Sequence, residues 1–134
     1  MVGVGAILLR RGRVLLVRRG RPPAQGLWSL PGGVLEAGER LADGVRREIR
    51  EETGLEVSAP RVFEVFERII RDKQGRLEYH YVLIDYLCRA VGGEPRPGGD
   101  ASAVEWVRQR DLPQRPITEG TLEVIQRAFR AVRK

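Results

Sequence analysis

Apolar runs near the start of the chain are separated by short polar breaks, as they are in β-hairpins. Residues 2–9 and 14–18 are rich in β-branched and aliphatic side chains, and the polar segment between them contains Gly12. Two such runs joined by a short turn predict a hairpin. A Pro- and Gly-rich loop at 19–26 and a brief strand at 27–30 are expected to follow.

The next segment changes to a helical period. In residues 39–53, Leu41, Val45 and Ile49 recur every four positions, and the segment contains no proline. This spacing puts the apolar side chains on one face and predicts an amphipathic helix. Gly54 is expected to end the helix, because glycine adopts the left-handed conformation of a C-terminal cap most easily.

The second half of the chain returns to strands and ends in another helix. Beyond Pro60, residues 62–71 and 77–91 predict a long hairpin, and residues 103–107 predict a further strand. Residues 119–132 predict a helix with one apolar stripe. The stripe consists of Leu122, Ile125, Phe129 and Val132.

The order of these elements indicates the fold class. Strands, a helix, more strands and a final helix suit an α/β (α+β) arrangement in which a mixed sheet is sandwiched between helices. The chain has 134 residues and no internal repeat. This length predicts a single domain, residues 1–134, that is large enough to bury its own core.

Composition and charge restrict the functional classes only partly. The 42% apolar and 31% charged residues are typical of a globular protein rather than a disordered one. The apolar runs are shorter than the ~20 residues of a membrane helix, and no signal peptide is recognisable, so we expect a cytoplasmic protein. Cys88 is the only cysteine and is expected to be a buried, inert thiol. The net charge of +6 suits an anionic substrate, nucleic acid or an acidic surface equally well.

The first predicted helix carries a cluster of acidic residues. Glu48, Glu51 and Glu52 lie at positions i, i+3 and i+4 and therefore share one face. Like charges so close destabilise a helix by about 0.2–0.5 kcal/mol per pair, and a hard cation such as Mg²⁺, which prefers oxygen ligands, would compensate for this. Arg47 is placed to orient a neighbouring carboxylate. The cluster alone also suits a solvated helix face, so it does not decide between the two interpretations.

The wider pattern around this cluster is more specific. Residues 33–55 read GVLEAGERLADGVRREIREETGL. They match the pattern G-x5-E-x7-R-E-U-x-E-E-x-G-U, in which U is aliphatic, at Gly33, Glu39, Arg47, Glu48, Ile49, Glu51, Glu52, Gly54 and Leu55. No position departs from it. This pattern is the Nudix box, and the chain resembles the Nudix hydrolase family; residues 26–32 also resemble the strand and turn that precede the box.

The resemblance implies a fold and a set of roles. The expected Nudix fold is an α/β/α sandwich with a mixed central sheet and a catalytic loop-helix-loop that binds Mg²⁺ or Mn²⁺. Glu48 and Glu52 would be direct metal ligands, Glu51 would be a third ligand or the catalytic base, and the backbone carbonyl of Gly32 would be a further ligand. Two more residues would orient the acidic cluster from outside: Arg47 and Glu39.

The implied reaction is the metal-dependent hydrolysis of a diphosphate linkage in a nucleoside diphosphate derivative. Bound Mg²⁺ would bridge the diphosphate oxygens while water attacks in line and a carboxylate accepts its proton. Members of the family differ in whether that base lies in the box or in a downstream loop. The loop candidates are Glu94, Asp100 and Glu105, each of which also suits an ordinary surface position.

Aromatic and basic side chains supply the candidates for substrate binding. Trp28 and Tyr81 could stack on a base, and so could Phe66 and Tyr79, although core packing is an equally ordinary role for them. His80 is expected to be structural. The basic candidates for phosphate contacts are Arg18, Arg19 and Arg21, which also suit a solvated surface. Asp100 is a further candidate for contact with the substrate.

Three functions stay open on these residues. ADP-ribose or a similar nucleotide sugar leads as substrate, because the chain resembles small ADP-ribose pyrophosphatase-like members most. The alternative is a house-cleaning pyrophosphohydrolase of ordinary or oxidised nucleoside triphosphates. A third hypothesis is a non-catalytic nucleotide sensor or nucleic-acid-binding module, against which the intact acidic cluster argues. The expected partner is a small nucleotide rather than a membrane or nucleic acid, and whether the chain forms a homodimer stays open.

Overall fold

The computed structural model describes residues 1–132. Its elements in chain order are β1 (Val2–Arg10), β2 (Arg13–Arg19), β3 (Trp28–Ser29), β4 (Gly32–Val34), α1 (Leu41–Thr53), β5 (Glu56–Arg71), β6 (Leu77–Val91), β7 (Ala101–Arg108), a 3-10 helix (Gln109–Gln114) and α2 (Thr121–Val132).

Strand β1 is the centre of a mixed sheet. It runs parallel to β6 and antiparallel to β4, and β5 pairs with the other edge of β6 in an antiparallel hairpin. Strand β2 leaves β1 after the first hairpin and pairs with β3 and β7. Helix α1 packs on one side of this arrangement and α2 on the other. The predicted mixed sheet between helices is therefore confirmed.

Helix α1 follows its predicted apolar period. Val45 and Ile49 are fully buried against β1 and β6, and Gly54 has a φ of 73° and donates its N–H to the carbonyl of Arg50. The helix begins at Leu41, two residues later than predicted, because Arg40 is still extended. Residue 39 consequently stays in the loop before the helix.

Helix α2 also starts two residues later than predicted, at Thr121. Ile125 and Phe129 are buried as expected, and Val124 and Ala128 join them on the buried face. Val132, which the stripe included, is 49% exposed because it lies at the end of the described helix, beyond the packed surface. The buried face of α2 thus includes Ile125 and Phe129 of the predicted stripe and is rotated towards Val124 and Ala128.

One strand is longer than predicted, and another was not predicted. Strand β5 begins at Glu56 and continues past Pro60, which the sequence interpretation took as a break. The pairing with β6 shifts its register between Ser58 and Arg61, and Ala59 has a φ of 50°. A bulge on an edge strand accommodates proline, because proline has no N–H to donate to the ladder. No strand was predicted at β4, where Gly32 and Gly33 indicate a loop, but its three residues pair with β1.

Two further expectations concern the core and membranes. The Cys88 side chain is buried, and burial raises the pKa of its thiol to about 11, as suits an inert cysteine. None of the helices within residues 1–132 combines the length and apolar character needed to cross a membrane.

Candidate active site

Two glycines of β4 bring the backbone against the carboxylates of α1. The N–H of Gly32 donates to Oε1 of Glu52 at 2.7 Å. At Gly33, a Cβ atom would lie 2.5 Å from the carboxylate of Glu48. The absence of side chains here lets both glutamates point at the edge of the sheet. The two carboxylates therefore share a site between α1 and β4.

Burial makes the charged forms of these two carboxylates less favourable, most of all at Glu52. Glu52 is 9% exposed, and burial raises its pKa to about 7, with the Gly32 N–H opposing the shift. Burial also raises the pKa of Glu48, although the neighbouring Arg47 guanidinium opposes it. Buried acidic groups in one cleft are relieved by a cation that neutralises them. The chemistry of the site thus suits a positively charged ligand.

Arg47 holds the acidic cluster together from the side. Its Nε and Nη2 donate to both oxygens of Glu39 at 2.7 and 2.9 Å. Its Nη1 donates to Glu48 at 2.9 Å and to Glu51 at 3.2 Å, and Nη2 also reaches the carbonyl of Val34 at 3.2 Å. The hydrogen bonds from Arg47 lower the pKa of Glu39. One guanidinium therefore orients three carboxylates and fixes the loop before α1 to the helix.

Glu51 stands apart from the other two glutamates of the cluster. Its side chain is 52% exposed and is directed to Arg47. Within residues 1–132, no three acidic, histidine or cysteine side chains are already gathered as a complete set of metal ligands. Mg²⁺ commonly keeps several waters and takes only one or two protein carboxylates. Glu48 and Glu52, with the carbonyl of Gly32 as a further candidate, therefore fit a hard divalent cation.

A cavity of about 230 Å³ opens on Glu48 and Glu52. Asp100 and Arg19 line it, together with Tyr81. Asp100 forms an exposed ion pair with Arg21 at 3.1 Å. Of the three loop carboxylates predicted as candidate bases, Asp100 alone lines this cavity; Glu94 does not, and Glu105 is paired with Arg115. We call this space the carboxylate pocket.

The remaining candidates for substrate contact lie in different surroundings. Arg18 donates from Nε to the hydroxyl of Ser102 at 3.0 Å and lines neither the carboxylate pocket nor the cavity beside it. Trp28 packs at the edge of the α2-side core with the guanidinium of Arg115 4.8 Å from its ring centre. Tyr79 stacks on Tyr81 with 5.7 Å between the ring centres. The other predicted strand residue, His80, pairs with Glu67 on the surface.

A second cavity, of about 390 Å³, adjoins the carboxylate pocket. Gly32, Gly33, Arg19 and Tyr81 line both spaces, so the two lie next to each other at β4. We call the second space the apolar pocket. Its walls include Phe66, Leu83 and Leu30, and its polar lining includes Asp85.

Sequence reasoning missed Asp85. This residue of β6 is 7% exposed, and burial, followed by the nearby charge of Glu64, raises its pKa to about 6. The sequence carried a signal for it, since Asp85 is the one charged residue in the apolar run 81–88. A charged residue in the middle of an apolar strand is unusual and indicates a special environment.

Alanine substitutions at the two glycines should separate folding from activity. Gly33→Ala would push the flexible Glu48 carboxylate aside, so we expect lower metal affinity and turnover with little loss of stability. Gly32→Ala would drive a Cβ into the backbone of Val4 and Gly5, which cannot yield easily, at a cost of about 1–3 kcal/mol. Thermal unfolding and Mg²⁺ titration of both variants check this. Equal destabilisation by the two substitutions would contradict it.

The raised pKa of Asp85 predicts a pH-dependent stability difference. Between its ordinary pKa of 3.8 and about 6, the folded protein holds the proton more tightly than the unfolded chain. Wild-type stability should therefore fall as pH rises through this window, by about 3 kcal/mol in total, and the loss should be complete above it. Asp85→Asn lacks this loss, so its stability relative to wild type should rise between about pH 4 and about pH 7. Urea unfolding of both proteins measures the difference, and a constant difference across this range would refute it.

Comparison with known proteins identifies similar domains. The model of the NUDIX domain matches residues 1–128. An ADP-ribose pyrophosphatase of Methanocaldococcus jannaschii is 34% identical over 84% of this chain, which spans 64% of that relative's length, less than two thirds. The Mycobacterium tuberculosis protein named "Putative 8-oxo-dGTP diphosphatase 2" is 35% identical over 81% of this chain and 74% of its own. The crystal structure of a MutT NUDIX hydrolase from Burkholderia pseudomallei superposes with a TM-score of 0.80 at 36% identity, covering 93% of this chain and 95% of that one.

Proposed function

This chain belongs to the Nudix hydrolase family, and we propose that it cleaves a diphosphate linkage in a nucleoside diphosphate derivative, releasing a nucleoside monophosphate. Family members act on phosphorus-containing anhydrides and generally use divalent metals. The observation that carries the proposal is the pair of carboxylates, the buried Glu52 and the partly buried Glu48, that line the carboxylate pocket beside the apolar pocket. Such a pair of neighbouring pockets suits a ligand that is anionic at one end and apolar at the other.

Glu48 and Glu52 would hold Mg²⁺ or Mn²⁺, with the carbonyl of Gly32 as a further ligand. Such a cation, when bound, would neutralise the charge of the phosphate oxygens and lower the pKa of water. The Gly32 N–H fixes Glu52 through one carboxylate oxygen, and Arg47 fixes Glu48 in the same way. Groups held in this manner need little reorganisation when the substrate arrives.

Arg19 is the candidate for a direct phosphate contact. Its guanidinium lines both pockets, and its Nε donates to the carbonyl of Pro23 at 2.7 Å, which anchors the side chain at their junction. Arginine presents a planar fork of donors that matches phosphate oxygens. Tyr81 lines the same junction and would border the part of the substrate next to the diphosphate. We propose no substrate contact for Arg18 or Trp28.

The proton of the attacking water needs a carboxylate acceptor. Asp100 is our first candidate, because it lines the carboxylate pocket from the loop before β7. The backbone of this loop is fixed to α1, since the N–H of Gly98 donates to the carbonyl of Glu52 at 3.2 Å. Glu51 is the second candidate, and it would first have to leave Arg47.

Two substrate classes follow from the relatives. ADP-ribose or a similar nucleotide sugar leads, since an ADP-ribose pyrophosphatase is among the most similar proteins. An ordinary or oxidised nucleoside triphosphate is the second class, supported by the relative whose name refers to 8-oxo-dGTP. A non-catalytic binding module is the third hypothesis, and it would have no need of the Glu48 and Glu52 pair.

A substrate panel with product identification tests this proposal. Purified protein is incubated with ADP-ribose, other nucleotide sugars, nucleoside triphosphates and 8-oxo-dGTP, in the presence of Mg²⁺ or Mn²⁺, and the products are separated by chromatography. We expect nucleoside monophosphate from at least one class, together with a sugar phosphate or pyrophosphate. If no compound is hydrolysed with either metal, the binding-module hypothesis replaces the enzyme.

A further inference from the structure

The apolar pocket contains a buried acidic group that the reaction does not require. Asp85 lies on β6 opposite Gly5 of β1, on the α2 side of the mixed sheet. A Cβ on Gly5 would lie 2.7 Å from Oδ1 of Asp85, so the carboxylate packs over this glycine and would clash with any larger residue there. Asp85 also lines the apolar pocket, although the residue is only 7% exposed.

Nothing within residues 1–132 satisfies this carboxylate. None of the described hydrogen bonds or ion pairs involves it, and its nearest charged neighbour across the strand pair is Glu64, which has the same sign. Glu64 itself is paired with Arg127 of α2. Arg127 Nε is the only side-chain N or O atom within residues 1–132 that is both fully buried and without a hydrogen-bond partner, so the Asp85 oxygens keep contact with the space of the apolar pocket. Water can donate to them there, and a ligand in the apolar pocket would replace that water with its own donors.

The chemistry of the missing donors is specific. An ionised carboxylate only accepts hydrogen bonds, and its two oxygens can take two parallel N–H groups. Asp85 is predominantly ionised at neutral pH, since its raised pKa is still about 6. Guanine presents adjacent N1–H and 2-amino donors on one edge. Adenine presents one amino donor beside the N1 acceptor, which would face the second carboxylate oxygen unfavourably.

We infer that Asp85 determines base specificity, accepting two hydrogen bonds from the N1–H and 2-amino groups of a guanine base seated in the apolar pocket. Phe66 and Leu83 border the same cavity and supply apolar contact for the ring. The inference rests on the proposed function, which places the diphosphate at Glu48 and Glu52. It concerns the base and not the leaving group: a guanine-bearing nucleotide sugar or triphosphate would be preferred to its adenine counterpart, ADP-ribose included.

The test measures binding separately from hydrolysis. The α,β-methylene analogues of GDP and ADP cannot be cleaved at the bridge, so calorimetric titration of the full chain with Mg²⁺ gives their Kd directly. Wild type should bind the guanine analogue about 10- to 100-fold more tightly, as expected for hydrogen bonds to a charged group. Asp85→Asn should lose or reverse this preference, because an amide offers one donor and one acceptor, which matches adenine. Glu78→Gln, an exposed charge removal on the same strand outside both pockets, should keep it.

A ligand-side comparison covers the case in which Asp85→Asn does not fold. The α,β-methylene analogue of IDP differs from that of GDP only by the missing 2-amino group, and wild type should bind it about tenfold more weakly. Equal binding of the guanine, adenine and hypoxanthine analogues, or an equal loss for all of them in Asp85→Asn, would overturn the inference.

Hydrolysis is then measured with dGTP and dATP, and with GDP- and ADP-linked sugars. Guanine-selective binding without turnover would refute the proposed function and leave the inference standing. Turnover in which the base preference does not depend on Asp85 would refute the inference and leave the proposed function standing. Binding of none of the analogues by folded wild-type protein would refute both.

Discussion

Glutamine in place of Glu52 is expected to lower kcat by more than about 100-fold, because partners outside the ligand set of a metal site already cost 10- to 100-fold when they are lost. The substitution removes the charge of the most buried carboxylate in the cluster. The glutamine carbonyl oxygen can still accept the N–H of Gly32, so the loop should keep its position. Steady-state hydrolysis of the best substrate from the panel, together with Mn²⁺ binding by calorimetry, measures the effect.

Asp43→Asn is the matched control for this variant. Asp43 is an exposed acidic residue in the first turn of the same helix, 3.9 Å from Arg46, and it lines neither pocket. Its removal should leave kcat and metal affinity within about twofold of wild type, as usual for an exposed charge. Wild-type activity in Glu52→Gln, or an equal loss in both variants, would remove Glu52 from the proposed metal ligands.

Alanine in place of Arg47 is expected to have the second largest effect, a loss of kcat/KM of about 10- to 100-fold. The variant should also need a higher Mg²⁺ concentration to reach its half-maximal rate. The guanidinium donates to Glu39, Glu48 and Glu51, and without it these carboxylates repel one another and Glu48 is no longer held towards Gly33. Lysine should rescue little, since an ammonium cannot reproduce the bidentate contact with Glu39. Rate measurements over a Mg²⁺ series, with thermal unfolding alongside, test this.

Arg50→Ala provides the comparison on the same helix. Arg50 also forms a bidentate contact, with Glu56 at 2.8 and 3.2 Å, but both side chains are exposed and neither lines the carboxylate pocket. It should change neither the metal dependence nor the rate. If Arg47→Ala lowered stability without altering the metal dependence, Arg47 would be a structural residue rather than one that orients the metal ligands.

Much of the fold could be predicted because local pattern and final packing agree. The hairpin of β1 and β2, the period of Val45 and Ile49, and the cap at Gly54 depend on neighbouring residues in the sequence. Strand β4 and the continuation of β5 past Pro60 depend on pairing with distant strands. Gly32 and Gly33 are typical of a loop and Pro60 is typical of a strand end, and these residues form strand only when a partner strand is present.

The candidate site, like the fold, could be predicted only in part. The contacts of Arg47 with the glutamates join residues that the box pattern relates in sequence, and the positions of Glu48 and Glu52 follow from one helix. The pocket linings join β1, β2, β4, β6 and the loop before β7. The sequence could therefore identify Arg18 and Arg19 as candidates for phosphate contacts, but it could not show that only Arg19 lines the pockets. The sequence marks Asp85 as unusual, since it is the one charged residue in the apolar run 81–88, but its place beside the pocket depends on Gly5 of another strand.

The central claim is that the Glu48 and Glu52 pair directs metal-dependent attack of water on phosphorus. Hydrolysis in ¹⁸O-labelled water, with Mg²⁺ or with a chelator, followed by mass spectrometry of the products, tests it most directly. We predict one labelled oxygen in a phosphate group of one product, and turnover only when the metal is present. Label on a sugar hydroxyl instead, or undiminished turnover in the chelator, would contradict the claim.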